Sequence, residues 1–272
     1  MNEVNTIRTL WHGTPLSVYE ELSLLSFVRC GHKVEVYSYD QLDVPTGVHL
    51  CDANRILTQS QVFAYSKGVT KGSFAAVSNL FRYKLLFEKG GIWADADMLC
   101  LKSLHQLPDA CVGRQDDELI NGAFMKFSAG HPICRQLYER AAALGKDIRH
   151  GQAGPKLVTE VFSKSESSYA ILPPSAFYPI HWRESFALIK PEELTYCDKK
   201  TDLSYCVHWW NTGLRLIGLP KDALPPKGSF LYERAKTVLQ ASKLRSWPYD
   251  SVRVLIENFE RNSASETGAR GS

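Results

Sequence analysis

The sequence predicts an α/β fold, a single domain in which helices flank a largely parallel β-sheet. Three observations predict it. A strand, a helix and a second strand follow one another within the first forty residues, and a helical crossover of this kind joins parallel strands. A later helix stops on Gly90-Gly91 and leads straight into the apolar strand Ile92-Trp93-Ala94. The 272 residues, 44% hydrophobic and 22% charged, suffice for a substantial core and contain no internal repeat or low-complexity linker that would divide them.

Ile7 to Trp11 is the first strand. Thr14-Pro15 then offers a capping residue and a proline at the first helical position, so a helix is expected from about Leu16 to Cys30, closed by Gly31. Lys33 to Tyr39 alternates apolar and polar positions and is the second strand. Residues 40 to 72 hold Pro45, Gly47, Gly68 and Gly72 with weak periodicity and are expected to be irregular, with room for one short strand. Ser73 caps a helix to Lys89 whose Phe74, Val77, Phe81 and Leu85 form one apolar stripe. Asn79 and Arg82, three apart on another face, can point together at a ligand. Gly90 ends this helix in the way glycine permits, and an extended segment from Ile92 to Leu101 begins at once.

Ala110 to Arg114 and Leu119 to Phe127 read as further strands, with helices near His131 to Leu144 and Ala153 to Phe162. Shorter pieces follow at Tyr169 to Leu172, Ala176 to Ile180 and the aromatic strand Tyr205 to Trp210, and Pro220, Pro225 and Pro226 mark a loop before the last helix. The small, polar run Asn262 to Ser272 is expected to be a disordered tail, leaving residues 1–261 as the domain.

The net charge is +3, and Lys and Arg are scattered among nearly as many acids, so the basic stripe of a nucleic-acid reader is absent. Seven cysteines, an odd number with no Cys-x-x-Cys pair, argue against a zinc site or a disulfide framework and for a reducing compartment. Met1 to Leu10 lacks the apolar core of a leader, and no stretch reaches the ~18 apolar residues of a membrane span. The expected location is cytoplasmic. Tyr232 to Ser246, with Arg234, Lys236, Lys243 and Arg245, suits a solvated helix face and is also compatible with a peripheral membrane contact.

Asp95 and Asp97 carry the chemistry. If Ile92 to Leu101 is one extended strand, both carboxylates project to the same side, about 6.6 Å apart at a rise of ~3.3 Å per residue. In so apolar a segment a carboxylate needs a partner. A hard divalent cation is one: Mg²⁺, and Mn²⁺ by similar oxygen preference, is held by one or two carboxylates together with phosphate oxygens. The pair therefore reads as half a metal site, completed by a diphosphate. No Gly-x-Gly-x-x-Gly loop follows the first strand and no Gly-x-x-x-x-Gly-Lys-Ser/Thr occurs, which disfavours dinucleotide and P-loop readings. Trp11-His12-Gly13 follows it instead, at the carboxyl end where α/β sheets place ligands. Trp11 suits core packing and stacking on a nucleobase equally.

Taken together, Ser78-Asn79-x-x-Arg82-Tyr83-x-x-Leu86, Gly90-Gly91-Ile92-Trp93 and Asp95-Ala96-Asp97 resemble the sugar-nucleotide segment of the Asp-x-Asp glycosyltransferases with a GT-A fold, in particular family 32 of the sugar-binding-region or α-1,4-glycosyltransferase type. Leu10-Trp11-His12-Gly13, Asn121-Gly122, Gly130-His131-Pro132, Gly154-Pro155 and His208-Trp209-Trp210-Asn211 fit the same group in order, so the resemblance spans roughly residues 6 to 211. It implies a Rossmann-like, mixed but mostly parallel sheet and a metal-dependent, retaining transfer of a sugar from a nucleotide-sugar to a glycan or lipid-linked acceptor. UDP-sugars are favoured over GDP-sugars by the breadth of the group. Position by position it implies Asp97 on the metal, Asp95 on the metal or the donor's ribose, and His208 closing the metal shell. Arg82 would contact donor sugar or phosphate and Trp11 the base, with His12 and Asn79 also donor-binding. Asn79 stands where the group usually has Asp; an amide keeps an acceptor, adds donors and removes the charge.

The catalytic candidates are Asp95, Asp97, Asp117 and Asn121. Asp116, Asp117 and Glu118 suit acceptor contacts or a solvated acidic loop, and Tyr178, His181 and Trp182 suit an acceptor platform or core packing. No paired nucleophile is evident, which leads to a front-face route. Two other functions are weighed. Aspartyl-phosphate phosphatases also use Asp-x-Asp after an apolar strand, but at their first strand and with Thr or Val two residues beyond the second Asp, where this chain has Leu99. A sugar-nucleotide binder of weak catalysis rests mainly on Asn79.

Overall fold

The computed structural model describes residues 5–13, 15–62, 75–145, 151–165 and 168–268. In chain order the elements are β1 (Ile7–Leu10), α1 (Val18–Arg29), β2 (Val34–Ser38), β3 (Val48–Asp52), α2 (Ala75–Lys89), β4 (Gly91–Ala94), β5 (Met98–Cys100), β6 (Cys111–Arg114) and β7 (Ile120–Phe127). There follow α3 (Pro132–Ala143), α4 (Leu157–Lys164), β8 (Ala170–Leu172), α5 (Pro174–Phe177), α6 (Leu194–Thr201), β9 (Cys206–His208), α7 (Asn211–Leu216), α8 (Phe230–Val238) and α9 (Tyr249–Gly268).

The main sheet has the order β3-β2-β1-β4-β7-β6-β8, and β5 pairs with β9 in a separate antiparallel ribbon. β3, β2, β1 and β4 run parallel, β7 is antiparallel to both β4 and β6, and β8 is parallel to β6. This is the mixed, mostly parallel sheet with flanking helices that the resemblance implied. Every residue of β2 and β7 is buried, as strands covered on both faces must be. One face packs Phe81, Trp93, Phe127 and Phe162 under α2, α3 and α4; the other packs Phe27, Ile92, Phe124 and Phe177. A third cluster around Trp209, Leu188 and Phe230 lies in the C-terminal part of the chain.

The double glycine is a steric requirement. Gly90 has φ +64°, and a Cβ there would lie 2.4 Å from the Ala129 nitrogen. Its carbonyl accepts from Arg8 Nη1 at 2.6 Å, while Arg8 Nε donates to buried Glu35 at 2.9 Å. β1, β2 and the start of β4 are thus tied at one point.

The structure departs from the sequence expectations in four places. α1 begins at Val18, because Ser17 and Glu20 form a capping box in which each side chain meets the other's backbone. The expected caps Thr14 and Ser73, with Phe74, lie outside the described residues. Ile92 to Leu101 is two strands, not one: Met98 N donates to the Asp95 carbonyl at 3.0 Å, closing a turn over Ala96-Asp97 that sends the chain from the main sheet into the ribbon. The helix expected after Tyr232 stops at Val238, and a new one begins at Tyr249. That last helix continues to Gly268, beyond Asn262, since its Ser, Ala and Glu residues extend a helix already nucleated.

Candidate active site

The turn at the end of β4 does more than the extended strand expected there. It draws one carboxylate oxygen each of Asp95 and Asp97 and a ring nitrogen of His208 within 4.8 Å of one another. His208 reaches this point because β9 pairs in register with β5, His208 opposite Met98, and Trp209 N donates to the Asp97 carbonyl.

Each carboxylate is held differently. Asp95 Oδ1 accepts from Arg82 Nη2 and from Trp93 Nε1, both at 2.6 Å, and the Arg82 guanidinium lies 5.0 Å from the Trp93 ring centre. Asp97 Oδ2 accepts from Asn211 N at 3.0 Å, and its Oδ1 is 2.9 Å from His208 Nε2. Burial raises the Asp95 carboxyl above the usual range, against the pull of Arg82 and with a push from Asp97. For Asp97 burial also acts upward and is the largest single influence, but His208 and the Asn211 N–H together bring the carboxyl below the usual range.

A divalent cation fits this donor set. The His208–Asp97 contact is short yet off the hydrogen-bond line, so neither ring nitrogen of His208 has an aligned partner although both are buried. Among the described residues, both side-chain hydrogen bonds to Asp95 fall on Oδ1, leaving Oδ2 for another ligand. Two hard carboxylates and one imidazole, with partners short of satisfaction, suit Mn²⁺ or Mg²⁺.

Two cavities meet at the cluster, sharing Ser78, Asp95 and Thr212. The smaller, about 260 Å³, extends over Thr9, Trp11, His12 and Asp97 at the carboxyl end of β1. Trp11 is half-buried on its wall with Lys221 Nζ 5.6 Å from its ring centre, and His12 Nδ1 sits 3.0 Å from Asp40. The larger, about 560 Å³, holds Asn79, Arg82, Gln115, Asn121 and His208 on its polar side and Trp182, Phe186, Trp210 and Phe259 on its apolar side. Gly154 packs against Asn79 there, with room for a Cβ only 3.3 Å from the amide nitrogen.

The structure therefore brings Trp11, His12, Asn79, Arg82, Asp95, Asp97, Asn121 and His208 to one place. Asp117 is not among them: it is exposed on the β6–β7 turn and lines neither cavity, its carbonyl instead accepting from Arg114. Gln115, which the sequence reading passed over, takes the inward position and accepts from Asn121 Nδ2 at 2.7 Å. The aromatic trio splits. Tyr178 is core: its hydroxyl donates to the Asn121 carbonyl and accepts from Phe124 N, each at 3.1 Å, filling the gap opened by a bulge where β7 leaves register with β6. His181 caps the short helix at 182–189, and only Trp182 reaches the cavity. Phe259 and Thr212 carried no sequence signal, since each arrives from far along the chain.

Two family regions match consecutive parts of the chain. The glycosyltransferase sugar-binding region containing the DXD motif matches residues 28–114, and the alpha 1,4-glycosyltransferase conserved region matches residues 126–219. Together with the Asp95-Asp97-His208 cluster, they place the chain among the glycosyltransferases whose sugar-binding region contains the DXD motif. More narrowly, it carries the alpha 1,4-type region that the family 32 resemblance implied. Similar curated proteins are the lactosylceramide 4-alpha-galactosyltransferases of Mus musculus, 36% identical over 149 residues, and of Pongo pygmaeus and Homo sapiens, each 34% identical over 155 residues. These matches cover 50% of this chain and 40%, 66% and 41% of the respective relatives, so the chain spans only part of their length. A solved structure, PaToxG Glycosyltransferase, aligns with a TM-score of 0.47 and 16% identity over 59% of this chain and 69% of that one, too distant to add to the argument.

Proposed function

We propose that the chain transfers a hexose from a nucleotide-sugar, a UDP-sugar by preference, to a hydroxyl of a glycan or lipid-linked glycan, with retention at the anomeric carbon and dependence on Mn²⁺ or Mg²⁺. The observation that carries this is the meeting of two cavities at Asp95, Asp97 and His208: one beside Trp11 for nucleoside and diphosphate, one for sugars. Asp95, Asp97 and His208 would hold the cation, which when bound supplies Lewis-acid stabilisation of the departing diphosphate. Trp11 stacks on the base, with His12 fixed beside it by Asp40. Arg82 holds Asp95 in place and keeps an unpartnered, buried Nε toward donor oxygens.

Among the described residues, the larger cavity is lined by no carboxylate except Asp95. Asp95 has Oδ1 bonded to Arg82 and Trp93 and Oδ2 assigned to the cation, which supports a front-face route in which the leaving phosphate, not an enzyme nucleophile, helps to deprotonate the acceptor. Asn121 and Gln115 engage each other and hold the polar wall; Trp182, Phe186 and Phe259 offer apolar faces to the C–H surfaces of sugars or to a lipid-proximal acceptor. The names of the relatives support galactose as donor sugar and a glycolipid as acceptor.

The test is a panel of nucleotide-sugars with manganese. Slow donor hydrolysis and a nucleotide-dependent rise in melting temperature are expected, and Asp97→Ala should remove both. Ester hydrolysis without nucleotide binding would support the phosphatase reading instead, and nucleotide binding with no sugar released or transferred would support a binder.

A further inference from the structure

One wall of the larger cavity is a chain of hydrogen bonds that runs in a single direction. Ala123 N donates to Asn121 Oδ1 at 2.8 Å, and a backbone N–H can only donate, so the amide oxygen of Asn121 must face it. Asn121 Nδ2 is thereby turned to Gln115 Oε1, 2.7 Å away, and Gln115 Nε2 to Asp116 Oδ2 at 2.9 Å. Asp116 is anchored in turn. Its Oδ1 accepts from Glu118 N and Leu119 N, while Gln115 N donates to the Leu119 carbonyl. Gln115 and Asn121 are both buried, and both line the cavity.

At its inner end the chain of bonds reaches the Arg82–Asp95 pair. β7 sets Asn121 opposite Gly113 and Met125 opposite Val112, so Gly122, Ala123 and Phe124 form a bulge with no counterpart on β6. The Ala123 carbonyl accepts from Asp95 N at 2.9 Å. A Cβ on Gly122 would lie 2.9 Å from Arg82 Nη1, so the guanidinium that grips Asp95 rests on this same bulge. The Asn121 side chain spans the bulge as far as Ala123, and Gln115 holds the other end of that amide.

We infer that Gln115 is a positioning residue for the transfer proposed above, on which this inference rests: by holding the Asn121 amide it fixes the bulge that seats Asp95 and Arg82 toward the cation and the donor. Gln115 is uncharged, so its influence is geometric. Partners that orient metal ligands in this way are commonly worth about ten- to a hundred-fold in metal affinity or activity.

The test is a double-mutant cycle in the full chain, Gln115→Met with Asn121→Ala, read by manganese titration without nucleotide, by kcat and KM for donor hydrolysis, and by melting temperature. Gln115→Met should weaken manganese binding and lower kcat, each by about tenfold, with the circular dichroism spectrum unchanged. In the Asn121→Ala background the same substitution should add nothing, since it acts through that amide. Asp116→Asn keeps its oxygen on two backbone N–H groups and so turns an amide NH2 toward Gln115, forcing donor against donor. It should show the same two losses, and it decides the matter if Gln115→Met folds poorly. Manganese affinity and kcat at the parent level, even with a lowered melting temperature, would overturn the inference. So would a loss of equal size with and without Asn121, which would make Gln115 act by another route. A parent protein that binds no manganese and hydrolyses no nucleotide-sugar would instead bring down the proposed function, and this inference with it.

Discussion

Asp95 and Asp97 are two residues apart, yet different halves of the chain hold them. Asp95 is gripped by Arg82 and Trp93, thirteen and two positions away, on the helix and strand that lead into the turn. Asp97 is held by His208, on a ribbon that exists only once the chain has folded back, and by Asn211, 114 positions away at the start of α7. The first wall of the site is local and tightly bonded. The second is long-range, and its buried His208 nitrogens lack aligned partners. The difference suggests a division of labour: the local wall orients, and the distant wall supplies the coordination that a cation completes.

The comparison breaks most severely at His208. Removing its imidazole from the distant wall is expected to lower transfer by on the order of a hundred-fold or more, because several kcal/mol of leaving-group stabilisation depend on the cation. Manganese titration should show the same loss of affinity while the circular dichroism spectrum is unchanged. If His208→Ala binds manganese as well as the parent, the distant wall is not the coordinating one.

Next is the local wall's frame. Gly90→Ala combines a left-handed backbone with a Cβ driven to 2.4 Å from the Ala129 nitrogen, and should cost about 3 kcal/mol or more in urea unfolding. A change below 1 kcal/mol would mean that the α2–β4 junction yields, and that the grip on Asp95 is not set there.

Tyr178→Phe sharpens the comparison from the other side. It leaves Phe124 N and the Asn121 carbonyl without their shared hydroxyl beneath the larger cavity, at an expected cost of about 1 to 3 kcal/mol. The KM for acceptor should move more than that for donor, because the bulge supports the acceptor-side wall.

The smallest effect concerns pH, far from both walls. His32 Nε2 accepts from Leu104 N at 3.0 Å, and burial, then the neighbouring His105, lowers the His32 pKa below its ordinary 6.5. A histidine lowered in the folded state binds its proton more readily when unfolded. Stability should therefore be fully present above 6.5 and decline as pH falls from there toward the folded-state value. Melting temperatures from pH 7.5 to 5 would follow the decline, and His32→Gln should flatten it in that window; an unchanged slope would remove His32 as the cause.

How legible was all this in the sequence? The α2–β4 junction was read nearly residue by residue, because its signals are local: an apolar stripe, a glycine stop, and Asn79 with Arg82 on one face. The turn at Ala96-Asp97 was missed for a physical reason. Met98, Leu99 and Cys100 are as apolar as Ile92 to Ala94, so the pattern carries no mark of the chain leaving one sheet for another. Asp117 and Gln115 could not be sorted, since a β-bulge decides which residue of the turn faces inward. His208 was reachable only through resemblance to a family, never through spacing.

The α/β class, the parallel β1–β2 unit, the helix that presents Asn79 and Arg82, and the pair of carboxylates are all legible along the chain. Each follows from periodicity, capping or glycine stereochemistry within about twenty residues. Only the tertiary structure decided that Asp95 and Asp97 face one another across a turn, that His208 and Asn211 complete the cluster, and that Tyr178 belongs to the core. The completion of the cluster depends on strand pairing between segments more than a hundred residues apart, Met98 with His208, and register is a property of the folded sheet rather than of any stretch of chain.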